Sequence, residues 1–276
     1  MKLITDTSAL YTIQQGEARG FTVIPLCVSI HDQHYRDLCF DSAVFYEEIK
    51  AGYIPTSSQP PIGEVIEIYE RYPNEEILHI CMADGLSGTY QSALTARESI
   101  SDKERVTVLN SQTLCGPHRY LVEKAHRLML EGKVMKEIVA SLQESISKTN
   151  SFLIPQDFGF LKRGGRLKPA AATLGGLLKL KPVMMAVDNG TRLDKFTISR
   201  TLTQAVAAVL DFFQKQGVNG DYHIYVAHSR AEKAALKIMD ALQAIFPDAV
   251  YEMLELSPAF ITQGGPDCIA IQYIHK

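Results

Sequence analysis

An α/β fold is predicted, an N-terminal parallel-sheet α/β/α domain with a C-terminal α+β domain, and three observations predict it. Short apolar runs alternate with helix-patterned runs through the first half of the chain. The second half mixes hairpin-like strand pairs with helices. Hydroxyl- and glycine-rich loops stand where apolar runs end, the usual place for a ligand crevice in an open α/β sheet. At 276 residues the chain can bury a large core, as one big domain or two closely packed ones. The expected division is 1–155 for the α/β part, carrying the ligand loops, and 156–276 for the α+β part closing over it, with no linker marking the boundary.

Lys2–Thr5 reads as a short strand that runs into the polar turn Asp6-Thr7-Ser8. Phe21–Ile30 is β-rich, with His34–Phe40 as its hairpin partner. Ser42–Lys50 follows the cap residue Asp41 and carries Phe45, Tyr46 and Ile49 at helical spacing. Pro55–Pro61 reads as a rigid loop before a helix from Ile62 to Arg71. Ile77–Met82 is a strand, Thr89–Ile100 a helix and Val106–Leu109 a strand; Gly132 separates two helices, 116–131 and 133–148. Ser151–Ile154 then leads into Phe158–Arg166, and a small-residue helix follows Pro169 over 170–178. Pro182–Val187 and Arg192–Ser199 flank an Asp-Asn-Gly turn as a hairpin. Thr203–Gln216 and Ala231–Ile245 are helices; His223–His228, Val250–Leu256 and Ile269–Ile274 are the last strands.

Composition narrows the function classes. A formal net charge of −3 gives no electrostatic case for nucleic acid or an anionic membrane as partner. No apolar run approaches the roughly 20 residues that span a bilayer, so no stable membrane insertion is expected. Asp6 comes too early for a signal peptide, which makes the cytoplasm the expected compartment. Five scattered cysteines without a Cys-x-x-Cys pair argue for reduced thiols, and no His or carboxylate cluster has metal-site spacing, so neither metal nor cofactor is expected.

The most informative stretch is Leu86–Ala93, directly after the Ile77–Met82 run. Ser87, Gly88 and Thr89 stand there at a helix start, a cradle for a carboxylate or a phosphate. Dinucleotide and P-loop fingerprints are both absent. Leu-Ser-Gly lacks the flanking glycine that follows the serine in a nucleophile elbow, Thr89 standing in its place, and only guesswork would bring His79, His118 or His228 beside Ser87 as a base. Ser87 is better cast as a hydrogen-bond donor, with a small serine hydrolase as the outside reading.

Four segments carry a resemblance: Asp6-Thr7-Ser8, Thr56-Ser57-Ser58-Gln59-Pro60, Leu86–Ala93 and Phe160–Arg166, in that order. With Leu174-Gly175-Gly176-Leu177-Leu178-Lys179-Leu180-Lys181-Pro182 they make the chain resemble the DegV family over nearly its whole length. The resemblance implies a two-domain bacterial protein that holds one long-chain fatty acid, palmitate- or oleate-like, in a tunnel between its domains. It also implies that the chain is not an enzyme by itself. Some members of the family are the acyl-carrier subunit of a fatty acid kinase and present the carboxylate to a dihydroxyacetone-kinase-like partner for ATP-dependent phosphorylation.

On that reading Thr56, Ser57, Ser87, Gly88, Thr89 and Gln263 are the expected carboxylate-binding residues, since a carboxylate wants short donors. Met82, Leu114, Phe158, Leu161, Leu174, Leu177, Leu178, Met184 and Met185 are expected along the tail. About sixteen carbons at roughly 0.8 kcal/mol each give a gross term of about 12 kcal/mol before ordering costs. Arg166 and Arg200 match family arginines at a phosphate-handling mouth, where a guanidinium grips phosphate oxygens. The family's C-terminal His-x-Gly-Pro-Gly loop is here Gln263-Gly264-Gly265-Pro266-Asp267. Glutamine donates a hydrogen bond without an imidazolium's charge, and Asp267 would add negative charge to the mouth. The departure favours a lipid-binding or sensing protein without phosphotransfer as the alternative to a kinase carrier.

Overall fold

The computed structural model describes residues 1–173 and 180–276. Strand β1 (Lys2–Asp6) passes through a short 3-10 turn into α1 (Ile13–Arg19), then β2 (Thr22–Ile24), β3 (Cys27–Ile30) and β4 (Gln33–Arg36). Next come α2 (Ser42–Lys50), β5 (Thr56–Ser58), α3 (Ile62–Glu70), β6 (Ile77–Cys81), α4 (Thr89–Glu98) and β7 (Val106–Asn110). Helices α5 (Cys115–Leu130) and α6 (Met135–Ile146) lead to β8 (Thr149–Ile154), α7 (Phe158–Gly164) and α8 (Pro169–Ala172). The chain ends with β9 (Lys181–Val187), β10 (Arg192–Ser199), α9 (Leu202–Lys215), β11 (Tyr222–His228), α10 (Glu232–Ile245), β12 (Val250–Glu255), α11 (Pro258–Gly264) and β13 (Ile269–His275).

These elements build three sheets. A parallel sheet has the order β2-β1-β6-β7, a mixed sheet the order β10-β9-β8-β13-β11-β12, and a small antiparallel sheet the order β4-β3-β5. The α/β class is therefore as expected, with the parallel sheet first. Four local features differ from the sequence reading, each for a physical reason. Helix α1 escapes a periodicity search because its only buried residue is Gly16, whose missing side chain lets the helix lie against Phe21 and Val23. The expected loop 55–61 contains β5, because Thr56, Ser57 and Ser58 pair with β3. Residues 158–164 form a helix capped by Asp157, which accepts from Gly159 N at 2.7 Å. The segment holding Thr262 and Gln263, expected as a loop, is helix α11, opened by Ser257 and Pro258.

Strand β8 precedes the expected boundary, yet it hydrogen-bonds to β13 on one edge and β9 on the other within the mixed sheet. Of the helix expected over 170–178, α8 is described; Leu174, Leu177 and Leu178 lie outside the described residues.

Helix α5 joins the two large sheets. Its Leu121, Val122 and Ala125 pack on Leu3, Leu78 and Ile80 of the parallel sheet, in a cluster that also takes in Tyr225 and Ile274 of the mixed sheet. Helices α3 and α4 cover the opposite face of the parallel sheet, and α9 and α10 the opposite face of the mixed one. Gly116 sets the approach, since a Cβ there would fall inside the Tyr225 ring. No side chain caps α5 at Leu114; Gln272 Oε1 of β13 accepts from Gly116 N at 3.2 Å instead.

Gly116→Ala is therefore expected to destabilise the protein by about 1–3 kcal/mol or more in urea unfolding. Gly63→Ala, in an open stretch of α3 with nothing near its Cβ, is expected to be neutral or stabilising by up to roughly 1 kcal/mol. Equal midpoints for the two variants would contradict the tight contact between α5 and β11.

Candidate functional site

In the parallel sheet the strand order turns at β1, so the chain leaves β6 and β7 toward a crevice at their carboxyl ends. That crevice opens into a cavity of about 980 Å³, its open mouth included. Pockets of several hundred Å³ up to about 1,000 Å³ suit small organic ligands. Met82 and Leu86 after β6 and Leu114 and Cys115 at the start of α5 form one wall. Leu153 of β8, Ala270 of β13 and Leu193 of β10 form the facing wall, while Leu161 of α7 and Ala259 and Phe260 of α11 close the sides. The cavity is thus held between the two large sheets.

Polar groups gather at one rim. Ser57 and Ser58 of β5, Gln59 just after it, Ser87 from the loop after β6, Arg166 after α7 and Gln263 of α11 all line the cavity. Ser87 Oγ lies 2.8 Å from Thr89 Oγ1 and accepts from Thr89 N at 3.3 Å. Thr262 Oγ1, donating to Ala259 O at 2.7 Å, lies 3.0 Å from Ser57 Oγ and accepts from Gln263 Nε2 at 3.1 Å. Gln263 Oε1 is buried without a hydrogen-bond partner among the described residues, in space left by the missing side chain of Gly164. Arg166 donates from Nε to Leu86 O at 3.0 Å and from a terminal nitrogen to Gly164 O. The rim thus gathers donors from both halves of the chain.

Charge distinguishes this rim. Burial, with the nearby Arg192 cation as a second cause, lowers the proton affinity of Arg166. Arg192 donates to Gly85 O at 2.6 Å. Neither arginine has a carboxylate within ion-pair distance among the described residues, and the six others, Leu-Gly-Gly-Leu-Leu-Lys, contain no acid. Arg166 therefore brings a half-buried cation without an ion-pair partner to the rim, and exposed Arg192 stands beside it outside the cavity lining. Burial pushes the thiol of Cys268 up to about 12 and that of Cys115 well above its ordinary range, so both act as apolar wall. Among the described residues no His, Cys, Asp and Glu group could hold a metal ion, and no helix is long and apolar enough to cross a membrane.

The expected carboxylate residues divide. Ser57, Ser87 and Gln263 meet at the rim. Thr56 is exposed and lies outside the cavity lining, whereas its neighbours Ser57 and Ser58 are in it. Thr89 is buried and positions Ser87, and Gly88 leaves room for the side chain of Gln59. Of the tail residues, Met82, Leu114 and Leu161 line the cavity. Met184 is fully buried and, with Phe158, packs behind the wall around Leu161, while Met185 packs in the core of the mixed sheet. Arg200 is exposed at the far end of β10, about 25 Å of strand from Arg192 at roughly 3.3 Å per residue. Arg192, not Arg200, is the arginine that neighbours Arg166. Asp267 is exposed and lies outside the cavity lining. The sequence reading missed Arg192, Leu26, Leu193, Phe260, Ser151 and Gln272; for Gln272 the signal was present, a lone amide in the apolar run Ile269–Ile274.

A family model described as "uncharacterised protein, DegV family" matches residues 1–276. Protein DegV of Bacillus subtilis is 32% identical over 280 residues, covering 99% of this chain and 99% of that protein. Its crystal structure, described as a fatty acid binding protein, superposes with a TM-score of 0.86 at 27% identity over 100% of this chain and 99% of that one. A DegV family protein from Thermus thermophilus, described by its fatty acid binding, gives a TM-score of 0.89 at 25% identity over 100% and 99% of the two chains.

Helix α11, which carries Gln263, is tied down by Asp37. This buried carboxyl accepts from Ser257 Oγ at 2.8 Å and Ala259 N at 3.0 Å, and burial raises its pKa from 3.8 to about 6. The folded value lies above the unfolded one, so protonated Asp37 contributes stability that is full below about 3.8 and lost as the pH rises through about 6. In Asp37→Asn this part of the pH dependence should vanish, so the stability difference from wild type changes between about pH 4 and pH 6 and is flat above. A constant difference across that window, measured by urea unfolding, would contradict the shift.

Proposed function

The chain belongs to the DegV family, and we propose that it binds one long-chain fatty acid, palmitate- or oleate-like, between two lobes. One lobe is the parallel-sheet part and the other the mixed-sheet part, with the division just before β8, where the mixed sheet begins. The observation that carries the reading is an apolar cavity whose rim brings Ser57, Ser87 and Gln263 together with Arg166, a cation lacking a carboxylate partner. The carboxylate sits at this rim and accepts from the hydroxyls and the Gln263 amide, with Arg166 offsetting its charge. The tail lies along Met82, Leu114, Leu153 and Leu161 and supplies most of the affinity.

Ser87 acts here as a clamp. Its oxygen is engaged by Thr89, while His79 bonds to Tyr69, His118 bonds to Ser8 and Thr5, and His228 lies outside the lining of the cavity that Ser87 faces. A hydroxyl without a base beside it binds better than it attacks. Exposed Arg192 beside Arg166 favours the finer reading, that the carboxylate is presented to a dihydroxyacetone-kinase-like fatty acid kinase, in the cytoplasm. Uncharged Gln263 favours the second reading, binding or sensing without phosphotransfer.

Lipid extraction and mass spectrometry of the purified protein are expected to return a long-chain acid at about one per chain. No acyl chain, together with no binding of added palmitate or oleate, would overturn the proposal. Ser87→Ala is expected to weaken the acid by about 1–2 kcal/mol, roughly 5- to 30-fold in Kd; unchanged affinity would remove Ser87 from the carboxylate site. Acyl-phosphate formation with ATP and a cognate fatty acid kinase supports the carrier reading, and its absence with an active kinase supports the sensor.

A further inference from the structure

The lipid cavity has a polar neighbour. Behind it lies a second, solvent-open chamber of about 600 Å³, its open mouth included, edged by the β9–β10 turn and the end of α6 and lined mainly by polar residues. Ser151 lines both spaces. Along β8 the residues on one face run Leu153, Ser151, Thr149, and they pass from the apolar cavity, through the shared position, into the polar chamber. The loop before α5 divides in the same way, with Leu114 on the apolar side and Thr113 on the polar side.

Gln272 closes the gap between these two elements. Opposite Ser151 in the β8–β13 register, it donates from Nε2 to Ser151 Oγ at 2.7 Å and to Leu114 O at 3.0 Å, and it accepts from Gly116 N. With both amide protons placed and its oxygen engaged, Gln272 is wall rather than ligand donor.

We propose that the Ser151–Gln272–Leu114 partition is the deep stop of the cavity and sets the longest tail the protein accepts; this rests on the fatty-acid reading. The partition is held by hydrogen bonds and backed by a polar chamber. A methylene pushed past it would trade apolar wall for hydrated polar groups and gain nothing.

The test is the Kd of the full-length protein for a graded series of n-alkyl carboxylates, with n-alkanols as a second series that reports tail depth without a carboxylate. In the wild type, affinity should rise about fourfold per added methylene and then level off where the tail meets the partition. Ser151→Gly, which opens the wall into the chamber, should move the levelling point to longer chains; Ser151→Leu, which fills the deep end, should move it to shorter ones. Thermal melts verify that each variant is folded, and if the glycine variant is not, the leucine variant decides. An unmoved levelling point in the folded variants, in both series, would overturn the inference. Alkanols that level off and shift as expected while carboxylates fail to bind would uphold the partition and overturn the fatty-acid reading.

Discussion

The contact between Gly116 and the Tyr225 ring is the constraint on which the rest of this structure depends. It fixes α5 between the parallel and mixed sheets at a separation that only a residue without a side chain permits. With α5 in place, the carboxyl ends of β6 and β7 face β8 and β13 across a gap. The side chains lining that gap, such as Leu114, Leu153 and Ala270, do not fill it. Elsewhere the sheets are covered by helices α3, α4, α9 and α10 and close-packed. The cavity is a consequence of how the two sheets are held, and its walls are apolar because they are inner faces of sheets.

The rim follows from the same arrangement. Arg166 and Arg192 come from the second half of the chain and hold two successive carbonyls, Leu86 O and Gly85 O, in the loop that carries Ser87. A loop from one half is thus oriented by cations from the other, and those cations keep charge that no carboxylate offsets. An anion with an apolar tail answers both halves of the site at once. Asp37 adds the third tie by anchoring the start of α11, and so the position of Gln263, from the small sheet.

Much of this was legible in the sequence. Strands β1, β6 and β7 announced themselves as apolar runs, α2 as a helix after its cap Asp41, and α9 by its amphipathic spacing. Ser57 and Ser87 could be picked out as hydroxyls in loops beside apolar runs, and Gln263 through the resemblance, at the histidine position of the family's C-terminal loop. What stayed hidden was tertiary. Helix α1 carries no apolar stripe, and α11 is short and punctuated by glycine. The side of β5 on which Thr56 lies depends on pairing with β3, which the chain does not state locally. Arg192 and Arg200 stand at opposite ends of one strand, and only the docking of β10 onto the loop after β6 decides which of them stands beside Arg166.

The most direct measurement is a crystal structure of the protein grown with palmitate. The account requires one acyl chain along the cavity, its carboxylate oxygens within about 3.2 Å of Ser87 Oγ and the Gln263 amide, and its methyl end toward Ser151. An acyl chain bound elsewhere, or one lying in the cavity with its carboxylate at the Ser151 end, would contradict it.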